Sequence, residues 1–216
     1  MKILLLPGLR GDAAEFGPLL ALLPRARFQA LPRSRATTLA AIAAELAAAG
    51  GLAADLIIGA SFGGLVARAL VAGGHTGARL LLVGTLPHPG PPAAARRCRP
   101  LGRLVSHLPD GMYRRGYAQR ATREWAEDTS SPWPGDLPPA AVVGARLQAI
   151  AAWGLPPIPP GTIVAWGLRD RFVTWSEQDV VRWGGVPRPL PGAHRPHLSG
   201  PGHLVEIIPS VGDPGA

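Results

Sequence analysis

Ser61 is the residue in this chain best placed to attack a carbonyl. It lies in Gly59-Ala60-Ser61-Phe62-Gly63, with the apolar run Leu56-Ile57-Ile58 before it and Leu65-Val66-Ala67-Arg68-Ala69-Leu70 after it. A strand that turns sharply into a helix holds such a serine in a strained conformation and pushes its Oγ out at the top of a sheet. Gly59 and Gly63 carry no side chain, so strand and helix can pass close on either side. The helix N-terminus adds free N–H groups and partial positive charge, which suit a developing oxyanion. With 28 glycines in 216 residues, a bare Gly-x-Ser-x-Gly is a weak signal. Its place between a β run and a helical run gives it chemical meaning. The plain alternative is a glycine-rich turn holding an ordinary serine.

A serine nucleophile needs a base, and the base needs an orienting carboxylate. Asp170, in Gly167-Leu168-Arg169-Asp170, falls just past an expected strand over residues 162–166. Sites of open α/β sheets form at such strand ends. The alternative for Asp170 is a turn aspartate paired with Arg169 or Arg171. Three histidines, His194, His197 and His203, follow the last expected strand, and at least two must be ordinary loop or helix residues. His194 comes first, directly off the strand end. His203 is expected in the terminal helix and His197 at its approach.

The elements that must position these groups alternate between strand and helix. Residues 2–6 read as a buried strand, ended by Pro7-Gly8. Leu19, Leu20, Leu22 and Leu23 fall at helical spacing and Pro24 closes them. Residues 28–31 read as a second strand. Thr37 or Thr38 caps an alanine-rich helix that Gly50-Gly51 stops. The Ser61 strand and helix follow, then a strand over 79–84. This rhythm predicts a parallel sheet covered on both faces. It breaks between 88 and 157, where Leu101, Leu104, Val105 and Leu108, then Tyr113, Tyr117 and Ala121, then Val143, Leu147 and Ile150 mark three helices. Strands resume at 162–166 and 186–190. The expectation is a core of residues 1–87 and 158–216 with a helical lid over 88–157; the alternative is a long helical crossover.

Composition bounds the rest. Apolar residues make up 47% of the chain and charged residues 17%, as in a globular protein. No apolar run approaches the roughly 20 residues of a membrane span. The opening Ile3-Leu4-Leu5-Leu6 is too short for the roughly 7–15-residue core of a signal peptide. A single cysteine, Cys98, excludes an internal disulfide and a cysteine-based metal cage, and the cytoplasm is the expected compartment. Of the 22 basic residues only Lys2 is lysine, an arginine bias that goes with the abundant Ala, Gly and Pro. The net charge of +8 is therefore no argument for nucleic-acid binding, and no nucleic-acid motif accompanies it.

The layout resembles the α/β-hydrolase superfamily across nearly the whole chain, and the order Ser61, Asp170, His194 is that of its members. The tail Ala193-His194-Arg195-Pro196-His197-Leu198-Ser199 resembles the histidine segment of the pimeloyl-acyl-carrier-protein methyl ester esterases of biotin synthesis. That resemblance implies His194 as base and a trimmed, mostly parallel sheet of about six strands. It also implies an oxyanion hole from the backbone N–H groups of Leu9 and Phe62. Where the family has histidine-glycine before the first donor, this chain has Pro7-Gly8; proline lacks an N–H, but the donor is the later Leu9.

The expected function is a serine carboxylesterase that needs neither metal nor cofactor, acting on a small-molecule or carrier-bound acyl ester. The alternatives are an acyl-carrier thioesterase and a non-catalytic binding protein of the same fold. Arg96, Arg97, Arg99, Arg103, Arg114, Arg115, Arg120 and Arg123 fall within the 28 positions 96–123, against one acidic residue there, Asp110. They form either a solvated face or a dock for an acidic partner such as an acyl carrier protein or a carboxylated substrate. The arginines around Cys98 could lower its thiol pKa, but nothing pairs with it and it reads as incidental.

Overall fold

The computed structural model describes residues 1–88, 90–127, 136–173 and 175–208. Parts of the expected lid (89 and 128–135) and core (174 and 209–216) lie outside the described residues. The apolar runs become six parallel strands, β1 (Ile3–Leu6), β2 (Arg27–Phe28), β3 (Leu56–Ala60), β4 (Arg79–Val83), β5 (Ile163–Gly167) and β6 (Val186–Leu190), in the order β2-β1-β3-β4-β5-β6. Leu4 pairs with Ile57, Ile58 with Leu81 and Val83 with Ala165, so the four most apolar strands are central. Period-two alternation splits β1 between two cores. Leu4 and Leu6 pack with α2 (Leu39–Ala48) and α3 (Phe62–Ala72), whereas Ile3 and Leu5 pack with Phe16, Leu19, Leu204 and Ile208 on the other face. Helices α1 (Gly17–Leu22) and α10 (Pro201–Ile207) supply that second layer.

Both edges are short or proline-bearing. β2 covers two residues where the sequence predicts a strand over 28–31; Gln29 still donates to the Leu5 carbonyl at 3.0 Å, and the ladder ends there ahead of Pro32. β6 carries Pro187 and Pro189, tolerated because an edge strand needs no donor on its open side. The chain reverses direction across the sheet between β1 and β3, which opens a crevice beyond their carboxyl ends.

Between β4 and β5 come α4 (Ala93–Arg96), α5 (Cys98–Ser106), α6 (Asp110–Ala126) and α7 (Ala140–Ile150), with no strand among the described residues. Two buried arginines tie this insertion to the rest. Arg68 on α3 donates to the carbonyls of Leu86 (2.7 Å), His88 (2.9 Å) and Pro156 (3.0 Å), clamping both ends of the insertion. Arg146 on α7 donates to the carbonyls of Leu9 and Pro32. Burial pushes each guanidinium down to about 10, yet both stay charged at neutral pH. Helices α8 (Glu177–Arg182) and α9 (Pro196–Ser199) complete the described chain.

Candidate active site

β3 ends at Ala60 and α3 begins at Phe62, which leaves Ser61 alone in the turn at φ 48°, ψ −115°. It is the one non-glycine residue with positive φ among the described residues. Such a conformation costs about 1–3 kcal/mol and persists only where neighbours enforce it. Here the Ser61 N–H donates to the Val83 carbonyl at 2.7 Å, and the Thr85 hydroxyl donates to the Ser61 carbonyl at 2.6 Å. At Gly63 a Cβ would collide with the Leu6 and Pro7 carbonyl oxygens. Its absence lets α3 lie against the end of β1, where Leu9 follows.

Asp170 lies just past β5 with its carboxyl fully buried. Its Oδ1 accepts the N–H groups of Phe172 (2.7 Å) and Val173 (3.0 Å), leaving Oδ2 for His194 Nδ1 at 2.8 Å. The two loops are stitched together: Leu168 N–H donates to the Leu190 carbonyl and Arg169 N–H to the Gly192 carbonyl, each at 2.9 Å. Gly84, at φ 55°, lies beneath the histidine loop, where a Cβ would meet the His194 carbonyl oxygen at 2.6 Å. His194 Nε2 then stands 3.1 Å from Ser61 Oγ, and Phe172 meets the imidazole edge-on at 5.1 Å. With Nδ1–H given to Asp170, Nε2 is the acceptor that faces the serine hydroxyl. The structure thus brings Ser61, Asp170 and His194 into one chain of contacts.

The other two histidines stand apart. His203 is half-exposed on α10, 3.6 Å from Glu206. His197 is buried on α9 against Phe16 (5.2 Å between centroids), its Nε2 3.6 Å from Glu15 Oε1.

Glu15 is the site residue that sequence reasoning missed. It is buried in the 3₁₀ turn Ala13–Phe16, and its Oε2 accepts the Gly8 N–H at 2.7 Å. Burial alone would raise its pKa, but His197, Arg10 and the Gly8 N–H outweigh that and hold the carboxyl below its ordinary range. Glu15 therefore grips the backbone before the Leu9 amide, while Arg146 grips the Leu9 carbonyl after it. Its one trace in the sequence is a lone carboxylate between Ala14 and Phe16. Phe62, the first residue of α3, has an N–H without an intrahelical acceptor. Leu9 lines one cavity beside Ser61, and Phe62 lines a second.

Arg96, Arg97, Arg99, Arg103, Arg114, Arg115, Arg120 and Arg123 are all exposed. Arg114 pairs with Asp136 at 3.3 Å, and Arg120 also lines the Leu9-side cavity. The Cys98 thiol is half-buried and desolvation pushes its pKa up, which agrees with reading it as incidental. Among the described residues no cluster of three or more His, Cys, Asp or Glu side chains could hold a metal ion, and no helix is long and apolar enough to cross a membrane.

No family model and no curated protein matches the sequence. Solved structures do. An esterase from Thermogutta terrifontis is 21% identical over 97% of this chain and 88% of its own, with a TM-score of 0.67. An enol-lactonase from Burkholderia xenovorans is 19% identical over 97% and 90%, also at 0.67. A thioesterase of the prodiginine pathway in Streptomyces coelicolor is 19% identical over 99% and 90%, at 0.63. The chain has the α/β-hydrolase fold. In an α/β-hydrolase fold the turn after β3 and the loop after β1 face each other across the point where the sheet order reverses. Ser61 and Leu9 occupy those two places, and the loops after β5 and β6 deliver Asp170 and His194.

Proposed function

We propose that the protein is a serine hydrolase that cleaves carboxylic esters through Ser61, His194 and Asp170 and an acyl-enzyme. The observation that carries this reading is the continuous contact from Ser61 Oγ to His194 Nε2 (3.1 Å) and from His194 Nδ1 to Asp170 (2.8 Å), with the serine on a strained turn. In the first step His194 takes the Ser61 proton as Oγ attacks the acyl carbonyl. The Leu9 and Phe62 amides hold the tetrahedral oxyanion, each worth about 2.7–4 kcal/mol of barrier. The imidazolium, steadied by Asp170, protonates the leaving alcohol; water then hydrolyses the acyl-enzyme with the same base. Helices α4–α7 serve as a lid over the site, residues 1–87 and 158–216 as its core, and the cytoplasm is the proposed location.

The likeness of the 193–199 segment to the pimeloyl-carrier methyl ester esterases favours a methyl ester on a carrier-borne acyl chain, in the manner of biotin synthesis. An acyl-carrier thioesterase is the second reading, favoured by the fold's likeness to the prodiginine-pathway thioesterase. Hydrolysis of a methyl ester and a thioester of one acyl chain, by wild type and Ser61→Ala, tests both. Loss of turnover in Ser61→Ala supports the nucleophile, and the faster substrate assigns the leaving group. Equal turnover in the two proteins would contradict Ser61 as the nucleophile, and none with either would leave a non-catalytic binding protein.

A further inference from the structure

The peptide unit between Ser61 and Phe62 has two polar ends. Its C=O is the Ser61 carbonyl, and its N–H is the Phe62 donor of the proposed oxyanion hole. A peptide bond is planar and trans, so the two groups point in opposite directions and cannot turn separately. Whatever holds the Ser61 carbonyl therefore aims the Phe62 N–H.

The Gly64 N–H reaches that carbonyl at 3.1 Å from the first turn of α3. The Thr85 hydroxyl reaches it at 2.6 Å from the loop after β4. The shorter contact thus comes from outside the turn. Thr85 is 2% exposed, so water does not compete for its hydroxyl. Its approach depends on Gly64, where a Cβ would meet Thr85 Cγ2 at 2.7 Å and Oγ1 at 2.8 Å.

Thr85 is itself held from behind. Its carbonyl accepts the Trp175 Nε1–H at 3.2 Å. The Trp175 ring meets His88 and Trp183 edge-on, each at 5.2 Å between centroids, and His88 stacks on Trp153 at 5.5 Å. These rings come from both ends of the insertion between β4 and β5 and from the segment between β5 and β6. The hydroxyl on the Ser61 carbonyl is therefore anchored to a packed aromatic cluster.

We propose that Thr85 is a positioning residue for this site: through the Ser61 carbonyl its hydroxyl aims the Phe62 N–H at the developing oxyanion and keeps Ser61 in its strained conformation. The proposal rests on Ser61 as the nucleophile. A misaimed donor matters most once charge develops on the substrate carbonyl oxygen, so the effect falls on kcat rather than on KM.

Thr85→Val removes the hydroxyl and keeps the shape; Thr85→Ser keeps the hydroxyl. The readouts are hydrolysis of p-nitrophenyl butyrate, inhibition by an alkyl boronate and melting curves. Thr85→Val is expected to lose roughly 10²-fold in kcat, with KM within about twofold and weaker boronate binding. Thr85→Ser should stay within about threefold of wild type. Thr85 also lines the cavity beside Phe62, so a loss confined to KM would make it a substrate contact and overturn the positioning role. An unchanged kcat in Thr85→Val, or a Thr85→Ser as slow as Thr85→Val, would overturn it too. Should Thr85→Val not fold, Trp175→Phe keeps a ring in the cluster and loses the bond to the Thr85 carbonyl. It should lower kcat several-fold at unchanged KM, and an unchanged kcat there would refute the proposal. If wild type and Ser61→Ala hydrolyse the ester equally, the nucleophile reading fails first. A dead Ser61→Ala beside a fully active Thr85→Val refutes the role of Thr85 alone.

Discussion

The Glu15 carboxylate accepts the Gly8 N–H at 2.7 Å, one residue before the Leu9 amide that the proposed mechanism uses as an oxyanion donor. With Arg146 on the Leu9 carbonyl, the backbone around that donor is held from both sides. Misplacing a donor weakens the transition state more than the ground state. Glu15→Ala is therefore expected to lower kcat by roughly 10²-fold with little change in KM. Glu15→Gln keeps a carbonyl acceptor for Gly8 and should recover most of the loss. Steady-state kinetics and the affinity of a boronate transition-state analogue read both variants. A change confined to KM would contradict the positioning role.

The three tail histidines separate by location. His194→Ala should lower turnover by several orders of magnitude without loss of fold. His203 is half-exposed and its ion pair with Glu206 is solvated, so His203→Ala should be near wild type. His197 is buried beside Glu15, and its loss should appear as a lower thermal midpoint. Activity profiles beside melting curves distinguish these cases; a dead His203→Ala would shift the base one element along.

Asp12 predicts a pH effect on stability. It accepts the Ala14 N–H at 3.0 Å, but burial and the Glu15 charge push its carboxyl from 3.8 up to about 6. A folded-state pKa above the unfolded one means the folded chain binds the proton more tightly. That contribution is fully present below pH 3.8 and is lost as pH rises through about 6. At about 1.36 kcal/mol per unit it amounts to no more than about 3 kcal/mol, and less where water reaches the group. Asp12→Asn keeps the cap and removes the charge, so it should raise stability at pH 7.5 and flatten the change between pH 4 and 6 in urea titrations. Identical pH dependence in the two proteins would rule this out.

The exposed arginines between residues 96 and 123 would act at long range if they meet an acidic carrier protein. Such steering weakens as salt screens it, over a Debye length of about 8 Å at physiological ionic strength. Replacing Arg96, Arg97, Arg99 and Arg103 with Ser should lower kcat/KM for a carrier-bound ester more than for a p-nitrophenyl ester. Rising salt should produce the same split in wild type. Equal losses on both substrates would mean that the arginines support the helices instead.

The strands, the Ser61 turn and the order Ser61, Asp170, His194 were legible because each rests on local pattern: apolar runs, paired glycines, and a polar residue just past a strand end. Even the edge strand β6 matches its expected span, since turn signals bound it on both sides. What stayed hidden depends on tertiary burial. No local pattern sets Arg68 and Arg146 apart from the other arginines, yet the fold buries them and spends them on backbone carbonyls. Glu15 has no motif; its role exists because Gly8 folds back over it. At Cys98 desolvation decides the pKa, although arginines flank it in sequence.

The most direct test of the account is covalent labelling with a fluorophosphonate, followed by mass analysis of the peptide that contains Ser61. A strained, base-activated serine is predicted to take up one adduct, at Ser61 alone. The adduct should be absent in Ser61→Ala and much slower to form in His194→Ala, with ester hydrolysis lost in parallel. A wild-type protein that stays unlabelled, or that is labelled elsewhere while Ser61→Ala keeps its ester hydrolysis, would contradict the assignment of Ser61 as the nucleophile.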